Sequence, residues 1–155
     1  MDYSKISFKG YIPSYKKYFD LIKEDKTINN YITFTEYDSS LIFYENNFCG
    51  LCKIIDFDDE ENKEIHIALL DEYRNKGLAS YLVATLSNNI FASNIHCQYA
   101  VLSIDKDNTP SIKMANKSGF KLNEELTRSN IEYGDFKTLY FTKNNPYYQS
   151  MHNNL

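Results

Sequence analysis

The 155-residue sequence predicts an α+β fold: a mixed, mostly antiparallel sheet with one central β-α-β crossover. Three observations predict it. Two apolar strand-like runs, "EIHIALL" at 64–70 and "YAVLSI" at 99–104, flank a long helical stretch, "GLASYLVATLSNNIFAS" at 77–93. Two further runs, "SLIFYE" and "FCGLCKIIDF", meet at a short polar turn in the manner of a hairpin. Helical signals lie near the N-terminus and after residue 107, and a last strand, "KTLYFTK", closes the order.

Each element has its own local reason. "SYKKYFDLIKED" spaces Tyr15, Tyr18, Phe19 and Ile22 at helical intervals behind Pro13-Ser14, and proline is tolerated at a helix start because its missing N–H would have no partner there. The hairpin is expected to turn at Asn46-Asn47, and the acidic stretch "DFDDEENKE" at 56–64 reads as a second, solvated hairpin turn. "EIHIALL" is a short strand. Leu78, Leu82, Leu86 and Ile90 then recur at i, i+4 with Ala79 and Val83 beside them, which predicts an amphipathic helix of about four turns. "YAVLSI" is almost unbroken in its apolarity, as suits a strand covered on both faces, such as a parallel one. "NTPSIKMANKSGF" supplies another helix, with Asn108 or Thr109 as cap, Pro110 first in the helix and Gly119 at its C-terminal end. No linker, repeat or low-complexity block interrupts the chain, so 1–155 is expected to be a single domain with 147–155 a loose tail.

Composition removes several classes of function. Seventeen Lys and Arg against 21 Asp and Glu give a net charge of −4, with no basic stripe of the kind that neutralises phosphates, so no nucleic-acid partner is expected. The start "MDYSKISFKG" lacks a basic region followed by an apolar one, and no apolar run approaches bilayer length, so the expectation is a cytoplasmic protein without a membrane partner. Three cysteines are an odd number and argue against a disulfide framework. Cys49 and Cys52 form a C-x-x-C spacing, but residues three apart on a strand face opposite sides, and no second Cys/His pair follows; no metal is expected.

The stretch "DEYRNKGLAS" at 71–80 sets two cations, Arg74 and Lys76, beside Gly77 where the long helix begins. The helix dipole is positive there, so Asp, Ser or Thr would be the ordinary choice. Either both side chains point into water, or the dipole, the unbonded N–H groups and the cations face one anion. A diphosphate needs converging backbone N–H groups, a glycine where a Cβ would block approach, and nearby positive charge; Arg74 to Ala79 supply all three.

With "DNTPSIKMANKSGF" a strand later, this stretch resembles the GNAT superfamily of acetyl-coenzyme A dependent N-acetyltransferases. The coenzyme motif Q/R-x-x-G-x-G/A is matched by Arg74, Gly77 and Ala79. A following motif, N-x-x-A/S and a short helix ending in K-x-G-F, is matched by Asn108, Ser111, Lys117, Gly119 and Phe120. Its N-x-x-S form is similar to the branch of ribosomal-protein N-terminal acetyltransferases. The resemblance covers 64–120 and implies a splayed pair of parallel strands with the pantetheine arm lying in the gap. It implies a coenzyme site drawn from Leu69, Leu70, Arg74, Asn75, Lys76, Gly77, Leu78, Ala79, Ser80, Asn108, Ser111 and Lys117, with the pyrophosphate on the turn.

Acetyl transfer to an amine needs a base, because an alkyl ammonium has a pKa near 10. Glu64 matches the position where many family members carry a glutamate base, and His66 follows two residues on; both stay open as the base. Backbone N–H groups near Leu69 would meet the developing oxyanion, while Leu69 and Leu70 side chains read as core. Many relatives carry a tyrosine on the short helix that protonates the departing thiolate; Ala115 falls there, and Ser111 is the nearest substitute. Asn108 binds the pantetheine amide or caps its helix, Lys113 reads as a solvated face, and Tyr11, Tyr15 and Tyr18 read as core before acceptor pocket. The implied activity is N-acetyl transfer to a primary amine, small or peptidic, by direct attack in a ternary complex. Net acidity favours a cationic acceptor, and the resemblance allows a homodimer. The alternative is a catalytically silent acyl-coenzyme A binding module.

Overall fold

The computed structural model describes residues 1–28, 34–58 and 61–148. Its elements run β1 (Ile6–Lys9), α1 (Lys16–Glu24), β2 (Ser40–Tyr44), β3 (Asn47–Asp56), β4 (Lys63–Leu69), α2 (Leu78–Ser93), β5 (Tyr99–Asp105), α3 (Thr109–Lys117), β6 (Lys121–Leu122), α4 (Glu124–Glu132) and β7 (Thr138–Asn144). The strands form one seven-stranded sheet in the order β1-β2-β3-β4-β5-β7-β6. The β1·β2, β2·β3, β5·β7 and β6·β7 pairs are antiparallel, and β4·β5, joined by α2, is parallel. This is the mixed α+β class that the order of elements predicted. The chain divides into two compact units, Met1–Ile54 with His66–Ala79, and Ile55–Ile65 with the described residues from Ser80.

In the first unit, Phe19 and Ile22 of α1, Leu41 and Phe43 of β2, Phe48 and Leu51 of β3 and Ala68 of β4 share one core. Burying each of the larger side chains contributes about 1.5–3 kcal/mol. Tyr11, Tyr15 and Tyr18 pack on that core, with the Tyr18 ring stacked on Phe48 at 4.5 Å and Tyr11 edge-on to Phe19 at 5.5 Å. The β2–β3 turn is Glu45-Asn46, one residue earlier than expected, with φ of +47° and +69°. Asn47 is the first residue of β3, opposite Tyr44, and the next pair is Phe43↔Phe48. Register explains the difference: a slip of one residue would turn one strand's aromatic ring out of the core. β3 also passes very close to β4, since a Cβ on Gly50 would lie 2.1 Å from the Ala68 carbonyl oxygen.

In the second unit, Leu82, Val83, Leu86, Ile90 and Phe91 carry the buried stripe of α2. β5 pairs with β7 over seven residues, from Tyr99↔Asn144 to Asp105↔Thr138. Its parallel ladder with β4 comprises Lys63↔Ala100 and Glu64↔Val101, although β4 runs on to Leu69. Asn62, 2% exposed, supports that ladder: its side-chain oxygen accepts the N–H groups of Gln98 and Tyr99 at 2.9 and 3.0 Å. The Phe57 N–H donates to the Asn62 carbonyl at 2.9 Å and brackets the acidic turn, of which residues 59–60 lie outside the described residues.

α3 starts with Asn108 as its cap, accepting from the Ser111 N–H at 3.3 Å, and is followed by Gly119 at φ +87°. β1, β6 and α4 have no counterpart in the sequence reading. β1 and β6 are four and two residues long, and α4 buries no residue, so it shows no apolar stripe. Residues 149–155 of the expected tail lie outside the described residues. The three cysteines are free and buried, and burial pushes the Cys49 thiol up to about 11 and the Cys52 thiol up to about 12. Among the described residues no group of three or more His, Cys, Asp or Glu could hold a metal ion, and no helix is long and apolar enough to cross a membrane.

Candidate active site

The turn from Arg74 to Ala79 is built by backbone conformation before any side chain acts. Asp71–Tyr73 forms a single 3-10 turn, Arg74 is extended at ψ 160°, Asn75 is left-handed at φ +60° and Gly77 is left-handed at φ +78°. Left-handed residues in such turns are how successive N–H groups are made concave toward an anion. α2 begins at the next residue and runs for 16 residues, so its first N–H groups have no intrahelical partner and carry the positive end of its dipole. Gly77 also faces a fixed neighbour: the Tyr3 hydroxyl donates to the Lys76 carbonyl at 3.3 Å and would sit 2.7 Å from a Cβ at position 77.

The side chains around the turn divide by task. The Arg74 guanidinium is held within the protein, its Nε donating to the Leu69 carbonyl at 2.9 Å and its terminal nitrogens bonding Thr27 and the Asp25 carboxylate, the latter at 3.0 Å. An arginine anchored this way braces the turn from within the protein. The Thr27 hydroxyl and N–H, with Arg74 beside them, hold the Asp25 carboxyl below its ordinary range and keep it charged as Arg74's partner. Lys76 is exposed, its ammonium 6.0 Å from the centre of the Tyr73 ring, and Asn75 is exposed as well. Leu78 is 1% exposed, so its side chain belongs to the core. The Ser80 carbonyl accepts from the Ser118 hydroxyl at 3.5 Å.

Leu69 is buried and Leu70 packs on the core, as the sequence suggested for both side chains. The Leu70 N–H is donated to the Cys49 carbonyl at 2.8 Å, which removes it as an oxyanion donor. Glu64 is a buried carboxylate on β4, and the Ser103 hydroxyl of β5 donates to its Oε1. Ser103 stands opposite Tyr140 in the β5·β7 ladder. The Tyr140 phenol is pushed up by burial and by the negative charges of Glu64 and Asp135, so it keeps its proton. His66 is half-buried two residues along β4.

On α3, the Asn108 oxygen is spent on the cap, Ser111 is half-buried and Lys117 is exposed in the last turn. Ala115 is fully buried. Ser103 and Tyr140 were not singled out from the sequence. The available signal was Ser103 itself, the one polar residue between Ala100 and Ile104 in a buried strand.

A sequence model described as the Acetyltransferase (GNAT) family matches residues 8–120. The chain belongs to that family. No curated protein sequence matches it. Among solved structures, the spermidine N-acetyltransferase of Vibrio cholerae, crystallised with CoA and spermine, superposes with a TM-score of 0.72 at 13% identity, covering 94% of this chain and 99% of that one. A GNAT-family acetyltransferase of Bacillus anthracis gives 0.71 at 19% identity, covering 91% and 95%. A dodecameric form of the Vibrio enzyme gives 0.69 at 13% identity, covering 94% and 96%. At these identities the likeness is one of fold, and it extends over nearly the whole GNAT domain.

Proposed function

We propose that this chain is an acetyl-coenzyme A dependent N-acetyltransferase that acetylates a primary amine by direct attack. The observation that carries the reading is the turn: Gly77, left-handed at φ +78°, opening a 16-residue helix in a chain of this family. The N–H groups of Gly77, Leu78, Ala79 and Ser80 hold the pyrophosphate, Lys76 adds positive charge, and Arg74 keeps the backbone in shape through Asp25 and Thr27. Bound there, acetyl-coenzyme A supplies an acyl group already activated as a thioester.

The protein's own task is to deliver a neutral amine and to manage two protons. Glu64 takes the ammonium proton, being a carboxylate in a buried setting, and His66 is the second choice. The Leu69 N–H is the oxyanion donor on this strand, with Leu70 already committed. Ala115 has no proton to give, so Ser111, one turn earlier on α3, is the hydroxyl offered to the departing thiolate. Excess acidic charge and the spermine bound by the Vibrio neighbour favour a cationic amine, such as a polyamine, as acceptor. A panel of polyamines, aminoglycosides and peptide N-termini, read by free-thiol release and by the mass of one added acetyl group, tests this. Thiol release with no acetylated amine, or neither signal from any acceptor, would overturn it.

A further inference from the structure

We infer that Ser103 is a positioning residue for the Glu64 base: its hydroxyl holds carboxylate Oε1 and so fixes the orientation of the side chain that takes the amine proton. The inference rests on the acetyl-transfer reading for its catalytic part. Three strands supply the geometry. Glu64 pairs with Val101 in the parallel β4·β5 ladder, and Ser103 lies two residues further along β5, on the same face as Val101. The Ser103 hydroxyl donates to Glu64 Oε1, and on the other side Ser103 is paired with Tyr140 of β7. Phe57 closes against Tyr140, with ring centres 5.9 Å apart.

A glutamate has three side-chain torsions, and a base that must find its proton by rotamer search loses rate at every turnover. Ser103 removes that search, and it does so from β5, whose seven consecutive pairs with β7 make it a firm support. The hydrogen bond also sets basicity. A donor to the charged form favours that form, so the Ser103 hydroxyl favours the carboxylate of Glu64 over its protonated form. Tyr140 on β7 is one titratable neighbour, its phenol held neutral, and Lys63 and His66 flank Glu64 along β4 itself.

Removing the hydroxyl then has two effects with one cause. In Ser103→Ala, kcat falls on the order of tenfold with the KM for acetyl-coenzyme A unchanged, and the acidic limb of the pH–rate profile moves up by roughly one pH unit. Ser103→Thr keeps the hydroxyl on a strand-compatible residue and restores both. A second readout needs no turnover: in protein labelled with ¹³C at glutamate carboxyls, the Glu64 resonance is the one absent from Glu64→Gln. Its titration midpoint is expected to rise in Ser103→Ala and to return in Ser103→Thr. A midpoint identical in wild type and Ser103→Ala would overturn the inference, as would an active alanine variant whose pH profile superimposes on wild type. If the midpoint moves while wild-type protein acetylates no amine, the tether on Glu64 is established and the acetyltransferase reading is what fails.

Discussion

Gly77→Ala is the change whose consequences can be worked furthest. At φ +78° a residue with a Cβ costs about 1–2 kcal/mol relative to glycine. The added Cβ would also lie 2.7 Å from the Tyr3 hydroxyl, closer than carbon and oxygen tolerate. Tyr3 can swing away, because the contact is with the end of a flexible side chain, but it then gives up its hydrogen bond to the Lys76 carbonyl, a loss of about 0.5–1 kcal/mol at an exposed site. The sum, about 1.5–3 kcal/mol, corresponds to a drop in Tm of roughly 3–12 °C for a chain of this size. Thermal melts of Gly77→Ala in wild-type and Tyr3→Phe backgrounds separate the two terms, since the phenylalanine has no hydroxyl to displace and only the φ cost should remain. Repeating the melts with acetyl-coenzyme A adds the functional half: a ligand at about a hundred times its Kd stabilises the native state by roughly 2.7 kcal/mol. Gly77→Asp is the sharper probe. A carboxylate at a helix start is favoured by the dipole, so Asp should melt no lower than Ala, while its charge against the pyrophosphate should abolish the ligand-induced rise. A wild-type rise in Gly77→Asp would show that the phosphates bind elsewhere, and a wild-type Tm in Gly77→Ala would refute the strain argument.

Glu64→Gln should lower the acetylation rate on the order of a hundredfold near neutral pH without changing acetyl-coenzyme A affinity, and raising the pH should recover part of it as more amine arrives neutral; the same pattern in His66→Gln instead would move the base to the imidazole. Arg74→Ala should weaken coenzyme binding several-fold in calorimetry and lower the Tm, because it unties the turn from Asp25 and Thr27. Gly50→Ala should be far worse than Gly77→Ala, since its Cβ would meet the Ala68 carbonyl at 2.1 Å and two strand backbones must part; little soluble protein, or a loss of about 3 kcal/mol or more in urea melts, is expected. Burial alone would raise Asp38, but the Thr35 N–H, the Ser39 hydroxyl and Lys53 outweigh it and hold it at about 2, against the usual 3.8. A depressed carboxyl contributes stability above its unfolded pKa and loses it as pH falls, so between pH 4 and 2 the protein should lose on the order of 1 kcal/mol through Asp38, discounted because its side chain is 39% exposed; Asp38→Asn should flatten the urea midpoint across that range.

The sequence by itself determined the parts whose causes are local. α2 is announced by Leu78, Leu82, Leu86 and Ile90 because helical period is a property of neighbouring residues, and α3 by Asn108, Pro110 and Gly119 because caps act within one turn. The backbone turn before α2 was legible for the same reason: Arg74, Gly77 and Ala79 lie within six residues, and a left-handed position leaves a glycine behind.

Tertiary structure decided everything that depends on residues far apart in the chain. Arg74 reads as a free cation until the fold brings Asp25 and Thr27, 49 and 47 positions away, against its guanidinium. Glu64 looks like a solitary strand carboxylate until strand pairing sets Ser103 beside it from 39 positions along. The hairpin turn moved by one residue because the phenylalanine pair across β2 and β3, not the local asparagines, fixes the register. Local pattern tells which residues can form a helix, a turn or a strand. Which charge meets which partner depends on sheet order and register, and those are chosen by packing energies summed over the whole core.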